Sequence, residues 1–449
     1  MLIQNCSIVT WGIPNQILDR QSIRISAEKI VEIGPAESLL PADGEEVLDA
    51  RGQFAMPGLI CAHTHFYSAF SRGMAIPGPA PKTFPEILDK LWWPLDRALD
   101  LEDVRYSALA CLVNAIRHGT TTLIDHHASP NAIEGSLDVI AESVLDAGLR
   151  ASLCYEVTDR NGFEQAEAGI QENLRFIRRV QNEPALKGVV SATFGLHASL
   201  TVSDATLERS RDLTPEDVGF HVHVAEHFSD EDDSLAKAGT RVVDRLARFG
   251  ILGPKSIAVH CVHVDQREAE LLRESQTWVT HQPRSNMNNA VGMAAVESML
   301  RAGIKVGLGN DGFSNAMWEE WKAAYLAHKL WQRDPRRMGG YDVVQMAIYN
   351  NAELVANQFG GLKAGELSVD SAADLILVDY HPITPLTAGN LPWHILFGFN
   401  ESMITTTIAR GKVLMRDRQL VTLDEEKIAR EARQRAARVW ERYNQEFAA

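Results

Sequence analysis

Cysteine is scarce and never clustered in this chain. Cys6, Cys61, Cys111, Cys154 and Cys261 are scattered, odd in number and free of CxxC spacing. That speaks against a disulfide framework and fits a reducing compartment. Long apolar runs are missing too, since no stretch reaches the ~18 residues needed to span a bilayer. The opening Met1-Leu2-Ile3-Gln4-Asn5 has no basic region of the kind that starts a secretory signal. The cytoplasm is therefore the default expectation. A basic excess is also lacking. Lys and Arg number 44 against 59 Asp and Glu, a net charge of −15. Nucleic acid and anionic membrane both call for a basic face, so neither is expected as a partner. There is no GxxxxGK[ST] phosphate cradle and no GxSxG nucleophile elbow.

Five separated pieces of the chain each end an expected strand with a residue suited to metal chemistry. They are His63-Thr64-His65, His223, Glu226, His260 and Asp311. Successive side chains on a strand face opposite ways, so His63 and His65 share one face, about 7 Å apart. Two imidazoles so placed can converge on one ion. Alone, an HxH pair is as well read as two satisfied polar residues at a strand end. Joined in order with the other pieces, it points to one mononuclear site assembled at the ends of several strands.

The chain has 449 residues and 45% hydrophobic content, enough for a barrel with a smaller companion. Residues 1–57 read as short strands, with Ile23 and Ile25 alternating with polar residues. Strands then fall near 58–63, 120–125, 150–157, 188–195, 218–224, 256–261, 276–281 and 304–309, separated by helical patterns. Such alternation predicts an α/β fold, a (β/α)8 TIM-like barrel over 58–362, with catalytic residues at the carboxyl ends of its strands. Short strands return after 362. With residues 1–57, the stretch 363–423 is expected to make a composite β-sandwich. From 424 to 449, Ile428, Ala432, Ala436, Trp440, Tyr443 and Phe447 recur at helical spacing. That stripe predicts a helix packed on the body, with a subunit contact as the second role.

Together, Met56-Pro57-Gly58-Leu59, the HxH pair, His223-x-x-Glu226, His260 and Asp311 resemble the amidohydrolase superfamily, in its deaminase and chlorohydrolase branch. Asp125-His126-His127, Thr158-Asp159-Arg160-Asn161 and Arg284-Ser285-Asn286 further resemble the SsnA-type aminohydrolases. Two positions depart from the branch, Asn310 where threonine is usual and Gln282-Pro283 before Ser285. The resemblance implies that His63, His65, His223 and Asp311 hold one divalent ion, zinc by preference, with iron or manganese as alternatives. Such an ion lowers the pKa of its water toward ~7. Asp311 would also take the water's proton, Glu226 would carry a proton to the substrate's ring nitrogen, and His260 would orient the water. Glu226 lies three residues after His223, so it must sit where the strand gives way to the loop. A bridging lysine for a second metal is absent, because Lys187 lies at the wrong end of strand four. His221 is expected to be a buried partner, and His227 an ordinary histidine.

His197 resembles a substrate-contacting position, and His127, Arg160 and Arg284 are expected at the same rim. The aromatic segment Phe66 to Trp93 is read either as a loop closing on a flat ring, with Trp92 in contact, or as helix packing on the barrel. The expected activity is hydrolytic deamination of an amino-substituted N-heterocycle of purine, pyrimidine or pterin type. Cleavage of a cyclic amide, an amidine or a carbon–halogen bond is the alternative, although Glu226 with His260 favours deamination. A non-catalytic scaffold would lack ligands, and every one is present. A homo-oligomer is expected on general grounds.

Overall fold

A computed structural model describes residues 1–448. Five strands open the chain, β1 (Leu2–Val9), β2 (Ile17–Ser26), β3 (Lys29–Pro35), β4 (Val47–Asp49) and β5 (Phe54–Pro57). The barrel strands follow as β6 (Leu59–Thr64), β7 (Thr120–Asp125), β8 (Arg150–Leu153), β9 (Val190–Ala192), β10 (Phe194–Ala198), β11 (Phe220–Val224), β12 (Ile257–His260), β13 (Trp278–His281) and β14 (Val306–Leu308). Four more close the chain, β15 (Leu375–Val378), β16 (Ile404–Ala409), β17 (Lys412–Arg416) and β18 (Gln419–Leu420).

β9 and β10 are two pieces of one strand interrupted at Thr193, so the expected eight strand positions are all occupied. Parallel pairing runs β6-β7-β8-β9 and β10-β11-β12-β13-β14. Two seams join these sheets into a ring. At one, Val157 bridges Leu196 in parallel. At the other, Asn310 and Asp311 donate their N–H groups to the His63 carbonyl at 2.9 and 3.1 Å, and His65 returns a bond to Asp311 at 3.1 Å. Gly309 makes that second seam feasible. A Cβ there would lie 2.7 Å from both the His63 nitrogen and oxygen. The strands are buried on both faces, as expected when helices cover a parallel sheet.

The terminal strands form one continuous sheet of order β18-β17-β16-β15-β5-β1-β2-β3, with β4 on β1. β5 pairs edge to edge and antiparallel with β15, so both ends of the chain share one ladder. Its own core gathers Ile3, Ile8, Ile23, Leu375, Leu377 and Ile408. Arg150 at the foot of β8 ties this sheet to the barrel, with Nη1 at 2.6 Å from both Asp374 oxygens.

The last helix, Glu425–Ala448, buries Ile428, Ala432 and Tyr443 against the body. Its polar atoms are specific as well. Trp440 donates through Nε1 to the Phe70 carbonyl at 2.7 Å, Arg442 through Nε to the Ala98 carbonyl at 2.6 Å, and the Tyr443 hydroxyl to the Lys90 carbonyl. Phe70 and Lys90 lie within the aromatic segment after β6, so this helix fastens that segment down. Among the described residues no helix is long and apolar enough to cross a membrane.

Candidate active site

At the carboxyl rim, side chains from β6, β11, β12 and the turn after β14 meet at one point. His63 and His65 both face inward, because the extended backbone carries the strand phase one residue past the end of β6. His65 Nε2 lies 3.0 Å from Asp311 Oδ1 and 3.3 Å from His223 Nε2. His63 Nε2 lies 3.6 Å from the same Asp311 oxygen. The ligand atoms of His63, His65 and Asp311 are mutually within 4.8 Å, as are those of His63, His223 and His260.

Each ring is held from behind through Nδ1. His63 meets His221 Nε2 at 2.9 Å, His65 the His126 carbonyl at 2.5 Å, His223 the His197 carbonyl at 2.9 Å, and His260 Asn286 Oδ1 at 2.9 Å. His221 is thus the buried partner expected of it. Partners behind the rings fix their orientation and leave Nε2 free to point inward. His63 Nε2 and His260 Nε2 are buried with no hydrogen-bond partner. At the His65–His223 spacing one Nε2 must carry a proton or both must face a shared cation, and a bound ion takes that proton's place. The donor set therefore fits one divalent ion of the zinc type.

Backbone strain concentrates at this rim. Ala225, His260, Cys261 and Asp311 all adopt left-handed φ values, of 47°, 70°, 48° and 56°. Non-glycine residues there cost about 1–3 kcal/mol each and persist only where their surroundings hold them. Asp230 supplies one such hold. Its two carboxylate oxygens accept the N–H groups of Leu200 at 2.8 Å and Ala225 at 2.9 Å. The left-handed turn at Ala225 explains Glu226. The strand ends at Val224, the chain turns, and the carboxylate swings in to place Oε2 at 3.4 Å from His260 Nε2.

Burial dominates the charges. It holds the His63 imidazole down to about 3 and the His223 ring well below its usual range, both in the neutral, ligating form. Burial opposes charge on His65 too, but the hydrogen bond and charge of Asp311 carry it up to about 9. Burial, then the nearby charge of Asp311, pushes Glu226 well above the usual carboxylate range.

The cavity over the cluster is lined by His197, Trp92 and Trp93 among others. Three expected substrate contacts are not in its wall. Arg284 pairs with Glu320 and Glu319 and donates to the Ser314 carbonyl at 2.7 Å, so its donors are consumed outside the cavity. Arg160 pairs with buried Asp96 behind Trp93, with its guanidinium 5.3 Å from that ring. His127 is buried and bonded to Ser129 Oγ at 2.9 Å. His227, expected to be ordinary, does line the cavity. So do Glu156, for which no role was expected, and Tyr67 and Asn289, which lie in the Phe66–Trp93 segment and just after Arg284-Ser285-Asn286. The segment after β6 is a chain of short helices, and Trp93 begins one of them while still facing the cavity. Asn310 is fully buried and donates to Asn315 Oδ1 at 2.7 Å and the Ser314 carbonyl at 3.0 Å, which braces the turn that carries Asp311.

A closed parallel barrel with three imidazoles and a carboxylate on one point of its rim is a barrel of the mononuclear metal type. The sequence profile of the amidohydrolase family matches residues 54–414, and the chain belongs to that family. It is 34% identical over 450 residues to a 5'-deoxyadenosine deaminase of Methanosarcina mazei, covering 99% of each chain. It is 32% identical to a 5-methylthioadenosine/S-adenosylhomocysteine deaminase of Pelotomaculum thermopropionicum, covering 98% of each. A solved adenosine deaminase from Xanthomonas campestris, with bound zinc, shares the fold at a TM-score of 0.85 and 24% identity, covering 98% of both chains.

Proposed function

We propose that this protein is a hydrolytic deaminase of an amino-substituted N-heterocycle, with the adenine ring of a small nucleoside as its leading substrate. The observation that carries this is Glu226, a buried carboxyl 3.4 Å from His260 and beside the converging imidazoles. His63, His65, His223 and Asp311 would hold one divalent cation, zinc by preference. When bound, such a cation acts as a Lewis acid and brings the pKa of a water toward ~7.

The chain's own groups do the rest. Asp311 stands where it can accept the proton lost by the attacking water, and Ser285 Oγ donates to its other oxygen. Glu226 gives its proton to the ring nitrogen next to the amino-bearing carbon, which lets electron density move off that carbon. His260 is fixed by Asn286 and directs Nε2 at the same space. Trp92, Trp93 and Tyr67 offer ring faces and edges that hold a flat heterocycle and keep bulk water out. The names of the relatives, all deaminases of adenosine derivatives, support the choice of ring.

The test is ammonia release from adenosine, 5'-deoxyadenosine and methylthioadenosine by protein whose metal content has been measured. Turnover that disappears on chelation and returns with zinc supports the reading. A metal-replete sample inert on all aminated purines, pyrimidines and pterins refutes it.

A further inference from the structure

The cavity is walled by acids and aromatic rings. Glu156, Glu226, Asp230 and Asp311 all contribute to its lining, and among the described residues no lysine or arginine does. Arg160 and Arg284 are spent on Asp96, Glu319 and Glu320, while Arg72 lines the neighbouring cavity that shares Trp92 and Asp311. Three of the four acids have tasks already. Asp311 belongs to the cluster, Glu226 faces His260, and Asp230 holds two backbone N–H groups. Glu156 has none.

Glu156 sits past the end of β8 and is 3% exposed. Its Oε2 faces His126 Nδ1 at 3.2 Å. Its Oε1 is 3.9 Å from His197 Nε2, beyond hydrogen-bond reach, and opens on the cavity. His197 is locked by Nδ1 against Thr201 Oγ1 at 2.5 Å, so Nε2 is its free nitrogen. Glu156 groups with His197 and His223, whereas Glu226 groups with His260 and Asp311. The two glutamates thus address different sides of anything bound over the cluster. Glu156 Oε1 has no protein donor and lines the cavity, so a ligand that brings a donor can bond to it directly in a water-poor space. An anionic ligand group brought against the Glu156 carboxylate would instead meet like charge in a desolvated space.

We infer that Glu156 sets specificity at this site. With His197 it anchors the hydrogen-bond-donating edge of a neutral or cationic amino-heterocycle, and its own carboxylate disfavours ligands that bring a phosphate or carboxylate against it. The identity of the ring rests on the deaminase reading above, and the charge selection does not.

Calorimetry on metal-loaded protein tests this with matched neutral and 5'-phosphorylated nucleosides of adenine, hypoxanthine and cytosine. The neutral member of at least one pair is expected to bind about 100-fold more tightly than its phosphate. Glu156→Gln should weaken that neutral ligand at least about tenfold, with the melting temperature recorded as a check on folding. Glu156→Asp, which keeps the charge, should restore part of the affinity and the discrimination against phosphate. Equal binding within every pair, no binding by any, or an E156Q protein with unchanged affinity overturns the inference. Ammonia release from the same nucleosides is scored separately. Selective binding without ammonia would sink the deaminase reading and leave this one standing. Turnover with equal use of AMP and adenosine would do the reverse.

Discussion

The hold that Asp230 exerts on the rim can be broken with little change of shape. Asp230→Asn keeps one oxygen and replaces the other with an NH2 group, so one of the two backbone N–H donors, from Leu200 or Ala225, loses its acceptor and faces another donor. Losing the bond and stranding a buried N–H costs about 1–3 kcal/mol. Ala225 already carries about 1–3 kcal/mol of left-handed strain at φ 47°. The two are similar in size, so the turn should relax rather than hold. Glu226 follows that turn directly, whereas His223 precedes it inside β11. The variant should therefore bind its metal normally, melt earlier by a free energy of about 2 kcal/mol, and lose kcat. A misplacement of ~1 Å in a proton-transferring group costs ~100-fold. The assays are elemental analysis, thermal melting and steady-state ammonia release on one preparation. A D230N protein with full metal, parental stability and parental kcat would show that the turn at Ala225 needs no such clamp.

Three further outcomes are expected. Glu226→Gln removes the proton donor but no ligand, so kcat/KM should fall by about 10²–10⁴ with metal content unchanged, and parental turnover would remove Glu226 from the chemistry. Gly309→Ala puts a methyl group 2.7 Å from the His63 backbone, which is not the end of a flexible side chain. The β14–β6 seam must then open, and loss of metal with loss of stability is expected on elemental analysis and melting, whereas a fully loaded stable variant would contradict the closeness of that seam. Finally, His65 titrates at about 9 beside Asp311, and a metal must displace that proton. Below pH 9 metal affinity should thus rise about tenfold for each unit of rising pH and level off above it. A competitive chelator titration that is flat between pH 6 and 8 would argue against the pairing.

The imidazoles and Asp311 were legible in the sequence because a strand has a strict period and a barrel presents strand ends on one rim. His63 and His65 needed only the two-residue repeat, and their neighbours only the alternation of strand and helix. Glu226 was harder. Its strand phase is wrong, and a left-handed alanine corrects it, which spacing alone does not reveal. Arg160 and Arg284 were misplaced because their partners, Asp96, Glu319 and Glu320, come from distant parts of the chain. A guanidinium on the correct rim says nothing of whether an acid from elsewhere claims it first. Glu156 was missed for the converse reason. It stands between Tyr155 and Val157, apart from any ligand-like spacing, and only the fold brings it beside His126 and His197.

The pairing of β5 with β15 bears on how the molecule is made. On the ribosome, β1 and β5 emerge before the barrel is translated, yet the neighbour that completes their ladder is encoded after it. Until that segment appears, β5 offers an unpaired apolar edge beside a ring of half-covered strands, a nascent surface open to mispairing. Slow or interrupted translation before residue 375 should accordingly yield aggregates rather than a folded barrel lacking its companion sheet.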